Sequence, residues 1–155
     1  MSLFTSLPVK SITQLTSESV KVCFDISSTD EFDFLAGQYI TVKSIINGEE
    51  VRRAYSICSA PSEGLEIGVK LVKGGKMSTF LTKELKIGES LDVMTPSGNF
   101  ISKSIDNHIV GICAGSGVTP ILSIIKSELE KVSDSRFTLI YGNKSQSSTM
   151  FKEQL

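Results

Sequence analysis

The 155-residue chain contains no tryptophan, a single histidine, four prolines and three cysteines. The lone His108 opens an apolar segment, with no serine or aspartate arranged around it as a triad, and is expected to be structural. No clustered histidines or carboxylates have metal-site spacing, so no metal ligands are assigned. Cys23, Cys58 and Cys113 are far apart, which excludes zinc and iron–sulfur spacing and gives no disulfide framework. The expected setting is reducing and cytoplasmic. No stretch approaches the roughly 20 apolar residues of a bilayer-spanning helix. Residues 1–10 lack the basic start and continuous apolar core of a signal peptide. An excess of one charge is missing too. The chain carries 16 Lys and Arg against 17 Asp and Glu, a net −1, which gives no electrostatic case for nucleic acid or an anionic membrane as partner.

What is present is ordinary globular material. A hydrophobic share of 40% and a charged share of 21% exclude disordered, collagen-like and low-complexity classes. The length suits one full domain and a piece of another.

The first hundred residues read as strands. Residues 9–15 alternate, and Val20, Val22, Phe24 and Ile26 share one face across the Ser17-Glu18 turn. Further strands are expected at 39–42, at 51–57 after the Asn47-Gly48 turn signal, at 65–72 and at 90–94. Six short antiparallel strands predict an all-β barrel or sandwich. Met77, Phe80, Leu81 and Leu85 predict one inserted helix after Gly74-Gly75. The polar stretch at 103–107 follows the break at 95–98. The expected division is therefore a barrel domain, 1–102, and a partial α/β domain, 103–155.

Beyond that break the period changes. Residues 109–114 form a continuous apolar run, as in a parallel strand buried on both faces. Ile121, Leu122, Ile124, Ile125, Leu129 and Val132 mark an amphipathic helix, and 137–141 is a second strand. Together they form one β-α-β unit. A third element, read as a helix, begins at Met150. Six residues fall short of the roughly 12–15 that an isolated helix needs, so the chain is expected to be a fragment of a longer protein.

Three segments carry chemistry. Arg53 and Tyr55 are two apart on a strand and share a face. A guanidinium fork suits a diphosphate, the phenol ring offers a flat surface, and Ser56 can hydrogen-bond a ring nitrogen. Taken alone, the tetrapeptide equally suits a half-exposed strand with a surface Arg and a packed Tyr. In the second segment, Gly75, Lys76, Met77 and Ser78 open the inserted helix. Free N–H groups there bind phosphate oxygens, with Ser78 as cap or hydroxyl donor; an ordinary capped turn is the alternative. The third, Gly115, Ser116, Gly117, Val118, Thr119 and Pro120, stands between strand and helix, where a dinucleotide-binding turn belongs. Thr119 is expected as N-cap and Pro120 as the first helical residue. The acid that would meet a ribose 2′-hydroxyl is missing: Asp134 precedes the next strand, and Asn143-Lys144 follows it. Lys144 suits either a 2′-phosphate or a solvated loop.

An R-x-Y-S strand, a helix start some twenty residues later and a G-x-G-x-T-P turn after a domain break resemble the ferredoxin–NADP reductase family. Gly37-Gln38-Tyr39, Ile57-Cys58-Ser59, the run from Pro96 to Phe100 and Tyr141-Gly142-Asn143 support it. The run Arg52 to Ser59 and the segment from Tyr141 to Leu155 look most like reductase subunits of phenylacetyl-CoA epoxygenases. The resemblance implies an antiparallel FAD-binding barrel followed by a Rossmann-like nicotinamide-dinucleotide domain. Arg53 would bind the FAD diphosphate. Tyr55 would lie against the isoalloxazine and Ser56 near its N5, these two being the residues closest to the chemistry. Lys70 would contact the flavin, and Gly75 to Ser78 would cradle the diphosphate. Gly115, Ser116, Gly117, Thr119 and Pro120 would receive NAD(P)H. The implied activity is electron transfer from NAD(P)H through FAD to an iron–sulfur or oxygenase partner, in phenylacetate-type aromatic degradation. A [2Fe–2S] cluster would belong to a further domain beyond Leu155. The alternative is a non-catalytic flavin-binding regulatory subunit.

Overall fold

The computed structural model describes residues 3–29, 31–103, 108–131 and 135–155. Positions 104–107 of the polar break, Val132 of the helix face and Asp134 lie outside them.

Six antiparallel strands form the first unit: β1 (Thr5–Thr16), β2 (Ser19–Phe24), β3 (Tyr39–Ile46), β4 (Glu49–Ser56), β5 (Glu66–Lys70) and β6 (Ser90–Val93). Their order is β4-β3-β6-β1-β2-β5. The two edge strands meet through an antiparallel bridge between Ile57 and Ile67, reinforced by the Cys58 N–H donating to the Glu66 carbonyl at 2.9 Å. The sheet thus closes into a barrel, which removes its exposed edges. Two-residue hairpins set the register. Thr16 pairs with Ser19, and Ile46 pairs with Glu49. Asn47 and Gly48 both have positive φ, 52° and 78°, as a primed turn requires. Residues alternating along the strands fill the barrel: Val20, Val22 and Phe24, as the sequence predicts, and Ile40, Val42, Leu65, Ile67 and Val69 are all buried.

The inserted helix, α1 (Lys76–Thr79), widens into a π-type segment at Phe80–Glu84, where the Leu85 N–H reaches back to the Phe80 carbonyl at 2.9 Å. Met77, Leu81 and Leu85 turn into the barrel core, as their spacing predicts.

The second unit is β7 (His108–Ala114), α2 (Val118–Lys131) and β8 (Arg136–Gly142), with β7 and β8 parallel. Two expectations change here. The apolar run of β7 is covered on one face only: Ile109 and Cys113 are half-buried, whereas Val110 and Ile112 are 56% and 71% exposed. The reason is geometric, since α2 packs on one side of a two-stranded sheet. His108 is likewise exposed, with Nε2 2.8 Å from the Thr138 hydroxyl. The element at Met150 is not a regular helix. Phe151 takes a left-handed backbone, φ 59°, and a single 3₁₀ turn follows at Lys152–Gln154.

The two units meet along α2. Ser123 on its buried face donates to the Ser59 carbonyl at 2.6 Å and lies 3.4 Å from the Gly37 N–H. Lys126 pairs with Glu63 at 2.8 Å, and the Ser62 hydroxyl donates to Glu130 at 2.9 Å. Val118, Leu122, Met150 and Phe151 form a second core with Cys58 of the barrel. At Gly68 of β5 an added Cβ would stand 2.6 Å from Thr119 Cγ2 and 2.9 Å from the Phe151 ring. Only a bare backbone lets the second unit sit this close.

Gly37 is the corresponding point on the other side of the seam. Its φ is +98°, and a Cβ would collide with the Phe100 carbonyl and touch Ile124. Gly37→Ala should lower the unfolding free energy by roughly 2–4 kcal/mol, left-handed strain plus collision. Gly48→Ala is the control: φ is also positive, but nothing lies within 4 Å, so it should cost about 1 kcal/mol or less. Urea denaturation of both variants tests this, and equal losses would contradict the collision.

The seam's ion pair should also titrate. Burial disfavours the Glu63 carboxylate, but hydrogen bonds from Lys126 and the Ala60 N–H outweigh this and hold its carboxyl below the ordinary value of 4.5. A depressed folded pKa stabilises fully above the unfolded value and is lost as pH falls through the folded one. Lys126→Met should therefore cost well under 1 kcal/mol at pH 7, because the pair is partly exposed, and progressively less as pH falls through the folded pKa of Glu63. A cost that does not shrink on acidification would assign the effect to packing instead.

Candidate functional site

The site is built on the β4 end of the barrel. Arg53 stands opposite Val42 and Tyr55 opposite Ile40, so the two share a face, as the two-residue spacing predicts. Arg53 is exposed, and its side chain donates only to the neighbouring Arg52 carbonyl at 2.6 Å; no carboxylate pairs with it among the described residues. Tyr55 packs on the edge of the barrel core. Burial pushes its phenol up to about 12, against a smaller opposing pull from Arg53, so the ring is neutral at physiological pH. Ser56 is half-buried beside it.

The helix start faces this strand. Gly75 is the N-cap, with extended backbone, and a Cβ there would stand 2.6 Å from Ser78 Oγ. Ser78 does not cap the helix. Its hydroxyl accepts the Val72 N–H at 3.1 Å and donates to the Gly75 carbonyl at 3.3 Å, fastening the preceding loop. The amides of Lys76, Met77 and Ser78 precede any intrahelical acceptor. Lys76 forms an ion pair with Glu49, while Met77 is buried in the core. Arg53, Tyr55, Lys70, Lys76, Met77 and Ser78 line one cavity of about 300 Å³.

The turn after β7 differs in detail from expectation. The backbone is already helical at Gly115–Gly117, as a 3₁₀ turn running directly into α2. Thr119 therefore lies inside the first turn rather than at the cap. Its hydroxyl donates to the Ser116 carbonyl at 2.9 Å, and the residue is buried against the barrel. Pro120, expected as the first helical residue, is the third residue of α2, still in the first turn where proline is tolerated. Gly115 has φ +52°, and a Cβ on Gly115 or Gly117 would meet nothing within 4 Å.

The tertiary structure joins these segments. A second cavity, about 410 Å³, runs from Ala54, Tyr55 and Ser56 to Ser116, Gly117, Thr119 and Pro120. A third, about 480 Å³, continues over Ala114 to Ser116 and Gly142 to Lys144. Lys70 borders all three. The groove thus gathers Arg53, Tyr55, Ser56, Lys70, Gly75, Lys76, Met77, Ser78, Ser116, Gly117, Thr119, Pro120 and, at its far end, Gly115. Sequence reasoning passed over Ser123, Gly68 and Phe151, which hold its two walls together. One signal was available: Thr119, Ser123 and Ser127 recur every four residues and put a hydroxyl stripe on the buried face of α2. No group of three or more His, Cys, Asp and Glu among the described residues is placed to hold a metal ion, and no described helix is long and apolar enough to cross a membrane.

Comparison with known proteins agrees with this architecture. Residues 6–101 match the model of the oxidoreductase FAD-binding domain, and residues 112–155 that of the oxidoreductase NAD-binding domain. The chain is 36% identical over 161 positions to a component protein of the 1,2-phenylacetyl-CoA epoxidase of Escherichia coli K12, covering 100% of this chain and 45% of that protein. It is 32% identical over 155 positions to the ferredoxin reductase component of 3-ketosteroid-9-alpha-monooxygenase from Rhodococcus rhodochrous, covering 96% and 44%. The chain therefore spans less than half the length of these two relatives. The solved ferredoxin NADP+ reductase of Neisseria gonorrhoeae, with bound FAD and NADP, shares the fold with a TM-score of 0.85 at 23% identity, covering 100% of this chain and 63% of that one. The closed barrel, the β-α-β unit docked on it and the two domain matches together show that the chain belongs to the FAD- and NAD-binding oxidoreductases of the ferredoxin–NADP reductase family.

Proposed function

We propose that this chain is the flavin-holding core of an electron-transfer reductase, which takes electrons from a nicotinamide dinucleotide and passes them to an iron–sulfur or oxygenase partner. The observation that carries this is the single groove in which the Arg53–Ser56 strand and the Gly75–Ser78 helix start face the Gly115–Pro120 turn. The flavin domain is taken as 1–102 and the dinucleotide-binding portion as 103–155.

The residues present fit FAD. Arg53 is a cation without a carboxylate partner among the described residues, next to amides that precede any helical acceptor, and this combination suits a diphosphate. Tyr55 offers a neutral, half-buried ring to a flat heterocycle. Ser56 carries a hydroxyl for which the described residues supply no partner, and in this reading it donates to the edge of that heterocycle. Lys76, Met77 and Ser78 hold the phosphates through backbone N–H groups, with Lys76 adding charge, beside the N-cap Gly75, whose own N–H is given to the Val72 carbonyl. Lys70 stands between flavin and dinucleotide. Gly115, Ser116, Gly117, Thr119 and Pro120 receive the nicotinamide dinucleotide, and Thr119, wedged against Gly68, fixes how near it comes to the barrel. A bound flavin supplies the conversion between hydride and single-electron transfer, and the protein supplies alignment. The similarity to the phenylacetyl-CoA epoxidase component favours an acceptor in phenylacetate-type degradation, with any [2Fe–2S] cluster on a separate segment or protein. The three free cysteines accord with a reducing, cytoplasmic setting.

Arg53→Ala should weaken FAD binding by roughly 1.5–3 kcal/mol, the scale of a charged hydrogen bond, in a fluorescence titration of apo-protein. An unchanged dissociation constant would remove Arg53 from the site.

Amide exchange should map the flavin. FAD should slow exchange at 53–56 and at 76–78, and leave β8 at its ligand-free rate. Protection confined to β7 and β8 would place the flavin in the wrong unit.

A further inference from the structure

Strand β4 carries a carboxylate on the same face as its ligand-side arginine. Side chains two apart share a face, so Glu49, Val51, Arg53 and Tyr55 align, and Glu50 and Arg52 belong to the other face. That other face is internally matched: Glu50 pairs with Arg52 at 2.6 Å, and the Arg52 guanidinium lies 5.1 Å from the centre of the Phe4 ring. On the first face, Glu49 reaches across to the inserted helix and forms an ion pair with Lys76. The hydrogen bond from Lys76 holds the Glu49 carboxyl below its ordinary value of 4.5, so it is charged at neutral pH. Glu49, Arg53, Gly75 and Lys76 help to line a cavity of about 350 Å³. Arg53, Gly75 and Lys76 also border the cavity of about 300 Å³ that is given to the flavin. The two spaces therefore adjoin at the residues given to the FAD diphosphate. Of the two cations there, Arg53 has no carboxylate partner among the described residues, and Lys76 has Glu49.

A carboxylate and a phosphate oxygen are alternative partners for one ammonium. A diphosphate arriving beside Lys76 competes with Glu49 for that ammonium and repels its carboxylate. The pair is poorly placed to resist, because both side chains are well exposed, 67% for Glu49 and 48% for Lys76, and an exposed ion pair contributes little. We propose that Glu49 is a displaceable counter-ion, which neutralises Lys76 in the ligand-free protein and yields its place to the FAD diphosphate. The proposal rests on the flavin reading of this groove and adds a residue that sets cofactor affinity from outside the motifs. Lys76 then contributes less to FAD binding than its position implies, because its contact with phosphate is offset by the loss of Glu49. Arg53 gives up no carboxylate and contributes in full. Glu49 thereby lowers the affinity for FAD while leaving the surface offered to the flavin ring untouched.

The test titrates the whole chain, stripped of FAD, with FAD and with riboflavin, which has no phosphate, by flavin fluorescence. Glu49→Gln should tighten FAD roughly two- to fivefold, the scale of an exposed ion pair, and leave riboflavin unchanged. Glu50→Gln removes the same charge from a neighbour that borders the same cavity but pairs with Arg52, and should change FAD affinity by less than about twofold. Lys76→Gln should weaken FAD more in the Glu49→Gln background than in the wild type, because only there has the ammonium nothing to give up. Added salt should narrow the gap between wild type and Glu49→Gln. An FAD affinity that is unchanged or weaker in Glu49→Gln would overturn the proposal, as would equal costs of Lys76→Gln in the two backgrounds. Riboflavin tightening as much as FAD would trace the effect to the ring, and Glu50→Gln matching Glu49→Gln would trace it to net charge; either result overturns the counter-ion. A wild-type chain that takes up no FAD would sink the flavin reading itself, whereas one that takes up FAD and is indifferent to residue 49 would sink only the role of Glu49.

Discussion

Everything functional in this molecule depends on one seam, where helix α2 lies against the barrel. Its closeness is set by two glycines. Gly68 leaves room for Thr119 and Phe151, and Gly37 leaves room for the Phe100 carbonyl and Ile124. Between them the buried Ser123 hydroxyl satisfies the Ser59 carbonyl, so the contact closes without an orphaned acceptor there. Apolar burial supplies most of the driving force: Val118, Leu122, Met150 and Phe151 are nearly solvent-free, at roughly 1.5–3 kcal/mol per large side chain. Phe151 adopts a left-handed backbone, costing on the order of 1–3 kcal/mol, and burial against Gly68 offsets it. Thr119 and the glycine turn therefore stand at a fixed separation from Tyr55 and Ser56.

The groove so formed has an electrostatic asymmetry. Some lysines elsewhere are matched, Lys21 with Glu66, Lys43 with Asp92, Lys126 with Glu63 and Lys131 with Glu128, and others on the surface are not. Along the groove, Arg53, Lys70 and Lys144 have no carboxylate partner among the described residues, and only Lys76 has one, in Glu49. With net charge near zero, this is a local concentration of positive charge, not a property of the whole surface. It favours a ligand whose anionic groups are strung along a line, as two dinucleotides end to end would be. The neutral, half-buried Tyr55 phenol interrupts that line with a flat apolar surface.

The second unit shows the other consequence of the seam. α2 spends one side on the barrel and another on the sheet, covering Ile109, Cys113, Phe137 and Leu139 partially. The opposite face of the sheet leaves Val110, Ile112 and Ile140 more than half exposed. These residues are as apolar as those of a fully covered parallel sheet, and the chain spans less than half the length of its epoxidase and monooxygenase relatives. The stability of this unit therefore rests on its docking to the barrel more than on its own sheet.

The sequence by itself determined the six strands, the inserted helix and the β-α-β unit, because alternation, helical spacing and the Asn47-Gly48 turn are local signals carried by consecutive residues. It also marked the three segments that line the groove, since glycines and hydroxyls at strand and helix ends are legible without neighbours. Tertiary structure alone decided how these segments meet. That Gly68 receives Thr119, that Ser123 answers Ser59 and that Lys70 borders all three cavities are contacts between segments far apart along the chain, and no periodicity records them. It also decided the cap of α2. Thr119 is displaced from that place because the chain turns helical at Gly115, so its hydroxyl bonds the Ser116 carbonyl and its methyl packs against the barrel. The apolar run of β7 shows the same limit: composition fixed how apolar the strand is, and only packing decided which of its faces is covered.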